Sequence, residues 1–335
     1  MNYQANNQTT VGKVFGTALL CGIALLTSCA RYKLDPAYTG PAKRPAEMLE
    51  YYSYRESRGA GKAEVKTIRE KRRYAIRHVA LPSTVNVFGT ENIRVDYYVQ
   101  KGEGKFPTVL ALPIAGGVDF CIESFARHYA SNGFNCAVMH NRQVDLEDIE
   151  SAEQAEDYLR QVVLDARQVL DYLVALDEVD SDKLGCLGLS LGGIKASILS
   201  GVDERIKCTV VGLAGGSMAD IALESKEKAV RDCMSQWFEM GVTPEALHTE
   251  LSEKLATDPV ALAKYVDARN TLMYIAAFDR IVPKKCGKKL WRATGKPEVV
   301  YLFSGHFSSL LYLPYAERSS LAFFKRKFTA ESLKD

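Results

Sequence analysis

This sequence predicts an α/β fold: a mostly parallel eight-stranded sheet with helices on both faces and a helical lid insertion near its carboxyl edge. Three observations carry that expectation. Strand-like and helix-like segments alternate from residue 74 onward, the rhythm of parallel strands joined by crossover helices. Thr108-Val109-Leu110-Ala111-Leu112 is apolar almost without a break, as a strand covered on both faces must be. Leu159, Val162, Val163, Ala166, Val169, Leu170, Leu173 and Val174 recur at three- and four-residue spacing, the stripe of a helix packed on a sheet.

In chain order, the first segment reads as an export signal. Lys13 precedes an apolar run from Val14 to Leu26 that ends in Leu26-Thr27-Ser28-Cys29. The run is shorter than the roughly 20 residues a spanning helix needs, and it suits the central region of a cleaved signal peptide covering residues 1–28. Leu-Thr-Ser-Cys resembles the lipobox of bacterial lipoproteins. That resemblance implies cleavage before Cys29, lipidation of Cys29 and attachment to the cell envelope. Ala30 in the next position implies outer-membrane sorting if the cell has two membranes.

Residues 29–72 hold Pro36, Pro41, Pro45, Gly59 and Gly61 among many charges, and read as a tether that becomes helical near its end. Basic residues gather between Arg55 and Arg77, with Lys66, Arg69, Lys71, Arg72 and Arg73 among them. They read as a solvated helix face, with attraction to anionic headgroups as the alternative.

Residues 73–330 form the expected folded domain. Tyr74–Leu81 and Ile93–Val99 have strand character and a turn near Gly89 between them, an antiparallel edge pair. The strand at 108–112 is followed by a helix over Ile122–Asn132 and a strand over Asn135–Met139. After the striped helix of 153–176 come a strand over Lys183–Leu189, a helix over Leu191–Ser200, and strands over Lys207–Leu213, Thr271–Phe278 and Glu298–Phe303. A helix over Ser309–Phe328 closes the domain. About residues 215–270 carry no obvious strand and read as short helices; the position suits a lid over the carboxyl ends of the strands, where open sheets bind ligands. Trp237, Phe238 and Met240 in this insertion read as lid core or as lining of a ligand pocket.

Composition narrows the function. Apolar residues make up 47% and charged residues 25% of the 335, enough for a substantial core. A net charge of +2 gives no reason to expect a nucleic-acid partner. Six cysteines follow Cys29 (Cys121, Cys136, Cys186, Cys208, Cys233 and Cys286) without paired spacing, and read as free thiols. The five histidines are scattered, without metal-ligand spacing, so neither a metal nor another cofactor is expected.

Gly188-Leu189-Ser190-Leu191-Gly192-Gly193 fits G-x-S-x-G between a strand and a helix. A nucleophilic serine on such a turn needs strained backbone angles, and glycines let strand and helix meet. A serine hydroxyl needs a base. His306, on the loop after the last strand, is the only histidine beyond residue 248; His78, His128, His140 and His248 read as structural or as part of the insertion. Asp279, directly after a strand, is placed to orient that imidazole, with Asp220 as the runner-up.

In the order Ser190, Asp279, His306, with Asp279-Arg280-Ile281-Val282-Pro283 and Ser304-Gly305-His306 around the last two, the chain resembles the α/β-hydrolase superfamily. Within it, the dienelactone-hydrolase and acyl-esterase branch is the nearer likeness. The resemblance covers about residues 74–328 and implies a serine hydrolase, most simply a carboxylic-ester hydrolase acting through an acyl-enzyme on a small-molecule or lipid-like acyl ester. It implies an oxyanion hole built from backbone N–H groups, one at Leu191 and one at Ala115 or Ile114. Relatives usually carry His-Gly where this chain has Pro113-Ile114-Ala115-Gly116-Gly117. A thioesterase or acyltransferase would use the same triad, and a silent lipoprotein scaffold would leave it idle. A propeller-bearing peptidase is not expected before so short a leading region.

Overall fold

The alternation is realised as a single ten-stranded sheet. The computed structural model describes residues 29–54, 63–89, 91–117, 120–144 and 148–331, so the signal-like segment 1–28 lies outside the described residues. Among the described residues the strands are β1 (Ala30–Tyr32), β2 (Glu64–Glu70), β3 (Tyr74–Pro82), β4 (Asn92–Gln100), β5 (Phe106–Leu112), β6 (Asn135–Met139), β7 (Val179–Leu189), β8 (Cys208–Gly212), β9 (Thr271–Ala276) and β10 (Glu298–Leu302). The α-helices are α1 (Ala46–Tyr51), α2 (Phe120–Ala130), α3 (Ala152–Val174), α4 (Leu191–Val202), α5 (Met218–Glu224), α6 (Lys228–Glu239), α7 (Pro244–Lys254), α8 (Pro259–Ala263), α9 (Lys284–Ala293) and α10 (Leu313–Glu331). A 3₁₀ turn at Phe307–Tyr312 leads into α10.

The sheet runs β1-β10-β9-β8-β7-β5-β6-β4-β3-β2. Neighbours from β10 through β6 are parallel, while β1, β4, β3 and β2 join antiparallel. Side chains of β5 divide by the two-residue period of a strand. Leu110 and Leu112 face a cluster with Val163, Leu170, Ile194 and Ile198 of α3 and α4. Val109 and Ala111 face the opposite cluster with Ile122, Phe125, Phe323 and Phe324 of α2 and α10. A strand sandwiched in this way has no solvated face, which is why its sequence does not alternate.

Two strands exceed the expected eight, and both come from the segment read as a tether. β1 pairs with β10, Ala30 opposite Tyr301. Residues 29–54 then run along the domain: Arg44 donates to the Gly201 carbonyl at 2.7 Å, and buried Tyr52 shares a 2.7 Å hydroxyl contact with Thr257. The basic stretch also differs from expectation. Its described part is not a helix face but β2, exposed at every position, and the turn after it. Lys66 and Arg69 on an outermost strand discourage pairing with another chain's edge. The β3–β4 pair is antiparallel as expected, but β2 takes the edge. Cys136, Cys186 and Cys286 are free thiols, and burial pushes the Cys286 thiol up to about 11.

Candidate active site

At the end of β7 the chain turns abruptly into α4, and Ser190 sits on that turn with φ 54° and ψ −125°. This left-handed backbone is costly for a residue with a side chain and is held by its surroundings. The flanking glycines are sterically required. A Cβ at position 188 would fall 1.9 Å from the Gly192 carbonyl oxygen, and one at 192 would fall 2.2 Å from that of Leu112. The Ser190 N–H donates to the Gly212 carbonyl at 2.8 Å, tying the turn to β8.

The structure brings Ser190, His306 and Asp279 into one hydrogen-bonded chain. The Ser190 hydroxyl lies 2.9 Å from His306 Nε2, and His306 Nδ1 lies 2.8 Å from Asp279 Oδ2. A carboxylate only accepts, so Nδ1 carries the hydrogen and Nε2 is left to accept from the serine. Asp279 Oδ1 accepts two backbone bonds, from Ile281 and Val282, each 3.0 Å. The His306 loop is fixed by its own serines: Ser308 Oγ accepts from the Gly305 N–H at 2.9 Å, and Ser304 and Ser309 hydroxyls meet at 2.7 Å.

Asp220 does not join this chain. It lies on α5, where Lys289 donates to it at 3.1 Å. Burial opposes its charge, yet hydrogen bonds from Ser217 and Lys289 and the nearby Lys285 charge hold its carboxyl down at about 2. His78 and His140 both contact Asp96, and His248 stands 3.4 Å from Asp220.

Ile114, Ala115 and Leu191 line the same cavity as Ser190. Leu191 opens α4, so its N–H has no intrahelical acceptor. The 113–117 loop closes on itself, with the Gly117 N–H donating to the Ile114 carbonyl at 3.0 Å. Its other support was not read from the sequence. Asn141 Nδ2 donates to the Ile114 and Ala115 carbonyls at 2.6 and 3.2 Å, and its Oδ1 accepts from Lys195 Nζ at 2.5 Å. Both carbonyls are thus held by one side chain, which fixes the loop beside Ser190. Lys195 is 3% exposed, and burial pushes its ammonium down to about 7. The one available signal was a lone lysine in the apolar run Ile194–Leu199.

The insertion contributes walls to the site. A cavity of about 630 Å³ reaches from Ser190 and His306 to Met218, Met234, Trp237, Leu251 and other apolar side chains of α5, α6 and α7. Trp237 is both lid core and lining, its Nε1–H donating to the Ile149 carbonyl at 3.1 Å. Phe238 and Met240, read with it, instead point outward and are exposed.

No family model matches the chain. An uncharacterized protein found in two strains of Mycobacterium tuberculosis is 28% identical over 149 residues, covering 44% of this chain and 33% of that protein. The chain thus spans about a third of the length of the curated relatives it matches. Among solved structures it is similar to acetyl xylan esterase from Paenibacillus sp. R4, with TM-score 0.67 and 19% identity over 84% of this chain and 99% of that one. Acetyl xylan esterase 1 from Thermoanaerobacterium sp. JW/SL YS485 gives TM-score 0.61 and 18% identity with the same coverage. Acylaminoacyl peptidase from Pyrococcus horikoshii gives 0.57 and 14% over 76% of this chain and 42% of that one. These neighbours are all of the α/β-hydrolase superfamily, and this chain has the α/β-hydrolase fold.

Proposed function

We propose that this protein is a serine hydrolase that cleaves carboxylic esters with an apolar acyl group, and that it is exported and held at the cell envelope by lipid on Cys29. The observation that carries the catalytic reading is the hydrogen-bonded chain Ser190–His306–Asp279 on a strained turn at the wall of an apolar cavity. In the first step His306 Nε2 takes the Ser190 proton as Oγ attacks the ester carbonyl carbon. The oxyanion is met by the N–H of Leu191 and that of Ala115 or Ile114. Collapse breaks the bond to the alkoxy oxygen, which takes the proton from His306 and leaves as alcohol. Water then attacks the acyl-enzyme, giving His306 a proton that returns to Ser190 as the acid departs.

Cavity size supports an acyl group well beyond acetyl. A unit the size of a water molecule or methylene takes roughly 30 Å³, so about 630 Å³ has room for a medium or long chain. A fluorophosphonate probe should label the wild type and not Ser190→Ala; equal labelling of both would refute the nucleophile. Turnover of p-nitrophenyl esters should rise from acetate toward octanoate. Labelling without turnover of any ester would shift the reading to a thioesterase or acyltransferase.

A further inference from the structure

We propose that the mouth of the active site lies against a lipid bilayer, with Phe120, Phe278, Phe303, Phe307 and Leu311 forming an apolar collar in the lipid interface. The inference rests on the reading of Cys29 as the anchored residue and Ser190 as the nucleophile, and adds where the ester comes from: the membrane itself.

Single exposed apolar residues are ordinary, but a group gathered at one end of a domain is not. Phe120, Phe303, Phe307 and Leu311 are each 64–71% exposed and Phe278 is 57%. All five follow the carboxyl ends of parallel strands. Phe120 opens α2 beyond β5, Phe278 precedes Asp279 beyond β9, and Phe303, Phe307 and Leu311 follow β10 around His306. The Phe278 and Phe303 rings meet edge to face at 4.8 Å, leaving their outer surfaces to solvent. Phe and Leu on a membrane-facing surface bury into the boundary between headgroups and acyl chains.

The chain end identifies the occupant. β1 is antiparallel to β10 with Ala30 opposite Tyr301, so Cys29 stands level with Leu302, one residue before Phe303. Neighbouring strands are about 4.8 Å apart. Cys29 packs beside the apolar cluster that holds Leu302 and Tyr312. Cys29, the first described residue and the one the proposed function anchors, therefore stands beside the collar. Acyl chains on Cys29 would enter lipid at the same place. With residues 30–32 fixed in the sheet, no slack remains to turn the domain over. The basic edge strand β2 is at the far end of the strand order, away from this contact.

The test uses the full chain in vesicles of phosphatidylethanolamine and phosphatidylglycerol. Phe120→Ser, Phe303→Ser and Leu311→Ser are combined; none of the three lines the cavity or joins the triad. Turnover of water-soluble p-nitrophenyl butyrate should stay near wild type, while turnover of a long-chain ester carried in the vesicles should fall about tenfold. In a second measurement, the tryptophan of Leu311→Trp should be quenched by brominated lipid. Undiminished vesicle turnover in the triple variant, or an unquenched tryptophan, would overturn the proposal. So would a wild-type dimer that the triple variant dissociates, since the collar would then be an interface between copies. The parent readings fail separately: release of wild type from membranes would sink the anchor, and loss of probe labelling specificity the nucleophile. Quenching in Leu311→Trp would support the collar in either case.

Discussion

Replacing Lys195 with methionine is expected to flatten the pH dependence of stability between pH 6 and pH 9. Burial lowers this ammonium from 10.5 to about 7, so above the folded value the unfolded chain holds a proton that the folded chain lacks. Stability from this group therefore rises with pH: the penalty is full below about 7 and gone above 10.5. The shift makes the lysine cost roughly 4–5 kcal/mol at pH 6 and about 2 kcal/mol at pH 9. Urea titrations followed by tryptophan fluorescence should show wild type gaining about 2–3 kcal/mol across that interval relative to Lys195→Met. Parallel curves for the two proteins would refute the desolvated amine. Activity reads the other half of the reasoning. Without Lys195 Nζ, Asn141 loses its donor and loosens its hold on the Ile114 and Ala115 carbonyls. Because the oxyanion exists only in the transition state, kcat should fall about tenfold with KM little changed. An unaltered kcat would mean the loop is held by other contacts.

Four further outcomes follow from the geometry. Ser190→Gly should be inactive yet more stable than Ser190→Ala by about 1 kcal/mol in thermal melts, because glycine relieves the positive φ. Gly192→Ala should cost far more than the roughly 1 kcal/mol of an average substitution, its methyl group being forced onto the Leu112 carbonyl; soluble yield and melting temperature report it. Arg142→Met leaves the Asp165 carboxylate, now 2.5 Å away and 1% exposed, with hydrogen bonds from Gln161 and Ser83 but no charge partner, and should cost about 3–5 kcal/mol, with Arg142→Met combined with Asp165→Leu recovering much of it. Trp237→Ala should lower stability by about 3–5 kcal/mol and move the acyl preference toward longer chains, read from an ester series.

The central part of the site was legible because steric demands leave little choice. Only glycine fits at 188 and 192, so the Ser190 turn is written into the chain. Asp279 and His306 could be placed because both directly follow strands whose apolar runs are plain. The edges were not legible. β2 is exposed at every position, so no inward face marks it in the sequence. β1 is three residues long and exists only through pairing with β10. Helix α9 is short and mostly charged, with Cys286, Gly287 and Leu290 as its buried positions, so it is hard to tell in the sequence from the loop around it. Lys195 reads as an oddity until Asn141, far off in the chain, supplies its meaning.

The pairing of β1 with β10 also bears on how the chain comes to be folded. Ala30 meets Tyr301, so the two edges of one contact are separated by about 270 residues. During synthesis the strand that completes this side of the sheet must wait for a partner that emerges almost last. Contacts of such high order form slowly, and the waiting chain keeps an unpaired β10 edge once it emerges. Until its two ends meet, the chain stays open along this side of the sheet, and the closing contact is among the last that synthesis allows.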